Sequence, residues 1–286
     1  MIKWNVDPEI FHIGSFSVSW YAALFTTAFV LGYFIMKKIF RQEGISVKIL
    51  VCLTFYIAFG TLIGARFGHC LFYEPEYFLK HPMEMFLPIA RDNYGTYKIV
   101  GYHGLASHGA AIGILIALYI FSRAERLSYL WILDRIVIVV ALSGFFIRIG
   151  NLMNSEIFGH PTNLFWGFEF IRSPKWYQHP INSQPCHPTQ IYEAIAYLAI
   201  FVLLCRRYFK KSEKQYSGIL FGMFLVTLFT MRFMIEFLKI EQVPFETGML
   251  LNMGQLLSIP FIFCGIYLLA KYRGKKIFCA IQEKKM

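Results

Sequence analysis

Seven apolar runs punctuate this chain, at about 17–36, 49–72, 106–122, 130–147, 189–205, 217–238 and 254–271. A helix needs roughly 20 mainly apolar residues to cross about 30 Å of hydrocarbon, and it alone pairs its own backbone groups along the way. Runs of this length and number predict an all-α, polytopic membrane protein with about seven transmembrane helices. Composition points the same way, with 57% of residues hydrophobic, 18% aromatic and only 16% charged. The third and fifth runs are short, and Pro260 predicts a kink in the seventh. No internal repeat or low-complexity stretch interrupts the pattern, so a single integral membrane domain over 1–286 is expected.

Basic residues set the direction of threading. Lys37, Lys38, Arg41 and Lys48 follow the first run; Arg123 and Arg126 follow the third. Arg206, Arg207, Lys210, Lys211 and Lys214 follow the fifth, and Lys271, Arg273, Lys275, Lys276, Lys284 and Lys285 close the chain. The other side holds only the scattered Lys3, Lys80, Arg91, Lys98, Arg172, Lys175 and Lys239. Cytoplasmic loops carry the excess of Lys and Arg, which places the N-terminus outside and the C-terminus in the cytoplasm. The formal charge of +11 therefore reads as membrane topology and not as a nucleic-acid partner. Before the first run the basic region is thin, and no small-residue cleavage site follows it, so that span is expected to remain as an anchor.

Two long loops, about 73–105 and 148–188, fall on the outer face and predict a small head region. The second carries Trp166, Trp176, Tyr177, Pro180, Pro185 and Pro188, and its aromatics suit a membrane interface. Loops of this length are often functional. Six cysteines (Cys52, Cys70, Cys186, Cys205, Cys264 and Cys279) form no CxxC or Cys/His cluster, which predicts inert thiols and no metal site. Cys186, on an outer loop, is the one most open to other chemistry. Gly60, Gly64 and Gly68, with Gly109 and Gly113, recur at four-residue spacing and predict close helix–helix contact.

Polar residues gather toward the outer ends of these runs. Arg148, Asn151, Asn154 and Glu156 close the fourth run, and Arg66 lies about 27 Å along a second helix that starts near Lys48. Arg232 and Glu236 are four apart near the outer end of the sixth run, on one helix face. Tyr21, His108 and Glu193 come early in the inward-running first, third and fifth. Each has a plain structural reading beside a functional one. Arg66 can snorkel to the headgroups, and Arg232 with Glu236 can form an i,i+4 pair. Glu193 can cap or pair at a helix start, His108 can be a packing histidine, and Tyr21 beside Trp20 can be an interfacial aromatic. Asp134 and Arg135 sit at the opposite end of the fourth run and read as structural.

Taken together, the shared depth points to chemistry. Ionisable groups at membrane depth are costly and usually face a protein or water-filled cavity. The arginine fork holds phosphate oxygens bidentately and stays charged, and at headgroup depth the available phosphate is a phospholipid's. Arginines around a phosphodiester also stabilise the charge that grows as it leaves. A histidine beside them can take a proton from a nucleophile near neutral pH.

The segment from Arg148-Ile149-Gly150-Asn151 through Asn154-Ser155-Glu156 to Phe158-Gly159 resembles the signature of the prolipoprotein diacylglyceryl transferases. Further pieces match in order. They are Trp20-Tyr21, Gly64-Ala65-Arg66, Ser107-His108-Gly109 with Gly113, and His187-Pro188-Thr189-Gln190-Ile191-Tyr192-Glu193. Arg232-Phe233 with Glu236-Phe237, Met253-Gly254-Gln255 and Ser258-Ile259-Pro260 complete the set. Three positions depart from the family pattern: Ile147 stands where Gly usually precedes the arginine, Ala110 replaces the second Gly after the histidine, and Ser155 replaces the Gly of Asn-Gly-Glu.

The resemblance implies transfer of an sn-1,2-diacylglyceryl group from phosphatidylglycerol to the lipobox cysteine in a prolipoprotein signal peptide. It implies a bacterial inner membrane, a site facing the periplasm, and neither metal nor cofactor. It makes His108, Arg148 and Arg232 the expected catalytic groups. Tyr21, Arg66, Asn151, Asn154, Glu156, Glu193 and Glu236 are the expected substrate-binding groups, with Glu236 steadying Arg232. Two rival readings use the same arginines. A secondary transporter for an organic anion would favour inverted repeats and broken helices, and a non-catalytic lipid-binding scaffold would have no use for His108.

Overall fold

A computed structural model describes residues 1–14, 16–87, 89–91, 96–99, 106–173, 184–210, 218–240 and 249–272. The order is β1 (Ile2–Trp4), β2 (Glu9–Ile13), β3 (Phe16–Ser19), α1 (Trp20–Gln42), α2 (Val47–Phe72), α3 (Pro75–Lys80), α4 (Pro82–Phe86), β4 (Ile89–Arg91) and β5 (Tyr97–Ile99). There follow α5 (Ser107–Ala124), α6 (Tyr129–Met153), β6 (Phe168–Phe170), α7 (Thr189–Phe209), α8 (Ile219–Glu236) and α9 (Met253–Tyr272).

The chain is a polytopic, mainly helical membrane protein. Helices α1, α2, α6, α7, α8 and α9 are each long and apolar enough to cross a bilayer. The third apolar run becomes α5, whose stretch His108–Ala124 is a shorter apolar helix. Pro260 lies inside α9, which continues through it. Trp176, Tyr177, Pro180 and Cys279 lie outside the described residues.

Two compact units divide the described residues: Met1–Ile39 with 133–272, and Phe40–Ile132. In the second unit, α2 and α5 lie backbone to backbone. A Cβ added to Gly64 would run into the Gly109 carbonyl, and one on Gly113 into the Gly60 carbonyl. The four-residue glycine spacing is thus a seam that admits no side chain. Phe55, Phe59, Ile63, Phe67 and Leu71 on α2 face Ile112, Ile116 and Ile120 on α5 across a groove of about 720 Å³. Past the seam, the Arg66 guanidinium donates to the Glu84 carbonyl and sits 4.7 Å from the centre of the Phe78 ring.

In the first unit, α8 and α9 close on each other at Gly222 and Gly265, and α7 packs beside α8. Strand β1 pairs in parallel with β6, Ile2 opposite Phe168 and Trp4 opposite Phe170. Trp4 Nε1 donates to the Leu152 carbonyl at 3.0 Å, and Leu152, Phe168, Phe170 and Cys186 form a buried cluster beneath it. The loop expected from 148 starts later, because Arg148–Met153 remain helical. The reason is a specific C-cap. Ser155 adopts φ +52°, and the Glu156 N–H reaches back to the Asn151 carbonyl, closing the last turn in a Schellman arrangement.

Candidate active site

Arg148 stands in the last turns of α6, which carries it about 21 Å along the helix from Asp134. Its side chain is 13% exposed, with Nε 2.9 Å from Glu193 Oε2. That contact is an ion pair by distance but is not aligned as a hydrogen bond, so charge holds it more than geometry does. Arg148 Nη1 donates to Asn151 Oδ1 at 3.2 Å. Asn151 Nδ2 in turn donates to Glu156 Oε1 at 2.8 Å, and Asn154 Nδ2 reaches the same oxygen at 3.2 Å. The helix spacing and the Ser155 cap together fold four polar residues of one short segment onto each other.

Glu193, one turn into α7, is fully buried. Its Oε1 accepts from Lys239 Nζ at 2.9 Å, and the same ammonium lies 3.2 Å from Glu236 Oε2. Arg148, Glu193, Lys239 and Glu236 therefore form one buried chain of alternating charge. Such burial is tolerable because each charge has a partner; removing one would strand another.

Tyr197, a further turn along α7, lies with its ring centroid 6.0 Å from the guanidinium carbon of Arg148. Arg232, on α8, lies within electrostatic reach of the same tyrosine. Glycines make the space. A Cβ on Gly144 would meet Tyr197 Cδ2 at 2.7 Å, one on Gly150 would meet Tyr21 Cδ2 at 2.7 Å, and one on Gly254 would meet the Glu236 carboxyl carbon at 2.7 Å. Tyr21, seated on Gly150, feels the charges of both Glu156 and Arg148.

One expectation fails. Glu236 does not steady Arg232: its partner is Lys239, three residues on, and among the described residues Arg232 makes no ion pair. Lys239 is bonded to two carboxylates, and one ammonium between them relieves more repulsion than an i,i+4 contact would. Lys239 and Tyr197 were missed. Their only sequence signals were spacing, Tyr197 four residues from Glu193 and Lys239 three from Glu236. Of the remaining expected residues, Arg66 and His108 belong to the other unit. Arg66 is buried against Glu84 and Phe78, and His108 is exposed in the first turn of α5.

The His187–Glu193 segment ties back to the Arg148 segment. Gln190 Nε2 donates to the Glu156 carbonyl at 2.7 Å, and Thr189 Oγ1 to that of Ile157 at 2.9 Å. Trp166 Nε1 donates to the Tyr192 hydroxyl at 2.8 Å, which lies 3.3 Å from His187 Nδ1. Burial, and then the neighbouring His160, hold His187 below the ordinary histidine range. Burial pushes the Cys186 thiol up to about 11, so at neutral pH it carries negligible thiolate and is chemically quiet. Among the described residues no group of His, Cys, Asp and Glu is placed to hold a metal ion.

The family model for prolipoprotein diacylglyceryl transferase matches residues 8–271. The chain belongs to that family. The diacylglyceryl transferases it resembles include one named phosphatidylglycerol–prolipoprotein diacylglyceryl transferase from Bacteroides fragilis, 43% identical over 275 residues and 96% of both chains. Others of the same name come from Tolumonas auensis, 44% identical over 94% of this chain and 96% of its own, and Porphyromonas gingivalis, 44% identical over 94% of both. Against the transferase pattern, the Ser155 departure acquires a structural meaning. The left-handed backbone there is the conformation in which glycine carries no penalty.

Proposed function

We propose that this chain transfers the sn-1,2-diacylglyceryl group of phosphatidylglycerol to the lipobox cysteine of a prolipoprotein, the first step of bacterial lipoprotein maturation. The cysteine sulfur attacks the glyceryl carbon that carries the phosphate, the C–O bond to the phosphate breaks, and a C–S thioether forms. The bonding pair leaves with glycerol phosphate. The observation that carries this reading is the buried Arg148, held by Glu193 and Asn151 inside the stretch that the transferase family model matches. Two permanent cations from separate helices suit a phosphodiester whose oxygens gain charge as it departs.

In this assignment Arg148 and Arg232 clamp the phosphate. Asn151, Asn154 and Glu156 order the headgroup hydroxyls, Tyr21 hydrogen-bonds nearby, Glu193 keeps Arg148 in place, and Glu236 lines the site from its pairing with Lys239. His108 accepts the thiol proton and Arg66 is a secondary anion contact, both on the strength of the motif resemblance. The reaction is a displacement at carbon with no change of oxidation state and invokes no cofactor. Residues 1–286 form one membrane domain of seven spans in the bacterial inner membrane, N-terminus outside and C-terminus cytoplasmic. The outer loops make a small head, and the site faces the periplasm.

The test is direct. Purified protein, phosphatidylglycerol and a lipobox peptide, followed by mass spectrometry, should yield peptide heavier by one diacylglyceryl group. Peptide that stays unmodified while the protein still binds or moves the lipid would overturn the reading in favour of a scaffold or a transporter.

A further inference from the structure

We propose that Lys239 is a positioning residue that keeps Arg232 available to the phosphate by occupying the carboxylate that would otherwise neutralise it; this rests on the transferase reading above. Glu236 lies between two cations of its own chain segment. Arg232 is four residues before it and Lys239 three after, and either spacing lets side chains on a helix meet. The contact that forms is with Lys239, at 3.2 Å. Lys239 is anchored there because its other hand is taken by Glu193 at 2.9 Å, and its side chain is 2% exposed. A buried ammonium between two carboxylates cannot leave without exposing both to each other. Glu236 is therefore fixed, pressed in addition against the backbone at Gly254.

Charge balance gives the arrangement its purpose. Arg148, Arg232 and Lys239 are matched by Glu156, Glu193 and Glu236. Removing Lys239 would leave Glu236 without its ion pair and Glu193 with Arg148 alone, while Arg232 stands four residues from Glu236, at a spacing that lets the two meet. Glu236 would turn back to Arg232 and Glu193 would hold Arg148 more tightly. Both arginines would then meet an incoming phosphodiester already neutralised. The loss would be in affinity for the anionic lipid ahead of the bond-breaking step.

The experiment measures KM for phosphatidylglycerol and kcat separately in detergent-solubilised enzyme. Lys239→Met, which keeps the stem and removes the charge, should raise KM by about tenfold or more with a smaller change in kcat. Lys239→Arg should stay near the wild-type KM. Lys239→Met combined with Glu236→Gln should recover part of the lost affinity, since Glu236 can no longer quench Arg232. An unchanged KM in Lys239→Met overturns the proposal, and so does a double variant no better than the single. If Lys239→Met does not accumulate, Lys239→Gln with and without Glu236→Gln gives the same comparison. Absence of transfer by the wild-type enzyme would instead overturn the transferase reading, so the two failures are distinguishable.

Discussion

Helix α6 carries a buried charge cluster near each end, and the two are built on opposite principles. Near its start, Asp134 is fully buried and accepts from the main-chain N–H of Gly218 at 2.6 Å and of Phe221 at 2.7 Å. Its carboxylate is hydrogen-bonded to the first turn of α8, where unpaired N–H groups and the helix dipole favour a negative charge, with the buried Arg135 guanidinium 3.8 Å away. Near the far end, Arg148 is held by side chains instead, Glu193 and Asn151, and lies over the ring of Tyr197. Backbone partners cannot move aside without unwinding a helix. Side-chain partners can be exchanged for a ligand. The contrast separates a charge locked into the backbone from one whose partners a ligand could replace.

Substitutions should break that contrast in a definite order. Arg148→Ala should abolish diacylglyceryl transfer, a fall of about a hundredfold or more, while protein accumulates normally in the membrane. Near-normal thioether formation by that variant would remove Arg148 from its role. Asp134→Ala should do the reverse. Loss of two charge-assisted bonds to a buried helix end costs about 3 kcal/mol, which thermal unfolding would register, while the folded remainder keeps its specific activity. If Asp134→Ala loses activity without losing stability, the division between the clusters is wrong.

Smaller changes sharpen it further. Ser155 pairs a left-handed backbone with a buried hydroxyl that has no hydrogen-bond partner among the described residues. Ser155→Gly should therefore raise stability by about 1 kcal/mol, with transfer retained; a drop in melting temperature would refute the strain. The smallest effect is at His187. The folded state holds its proton less readily than the ordinary value of 6.5, mainly through burial. Stability supplied by the neutral ring is complete above that pH and falls away as pH drops below it, because the unfolded chain then binds the extra proton. Acid melting curves of His187→Gln should show a weaker decline below about pH 6.5 than wild type; parallel curves would acquit His187.

Much of this was legible because it rests on local rules. Apolar length located the helices, four-residue glycine spacing located the α2–α5 seam, and Asp134, read as structural, holds the first turn of α8. Closeness in sequence grouped Arg148 with Asn151. What escaped the sequence was partner choice. Glu236 has two cations within one helical turn on either side, and periodicity cannot say which wins. The decision comes from Glu193 on another helix, which recruits Lys239 and draws Glu236 with it. The end of α6 was misplaced for a related reason: Ser155 is not the glycine that signals a helix stop, though it adopts the glycine conformation.

The self-contained pairing of this cluster has a consequence for turnover. Glycerol phosphate departs as a monoester, more negative than the diester it came from, and on the proposed assignment it would cling to the arginines. Glu193 at 2.9 Å and the Asn151 amide at 3.2 Å are the partners to which Arg148 would return, so on that assignment release of the product restores the neutrality of the cluster.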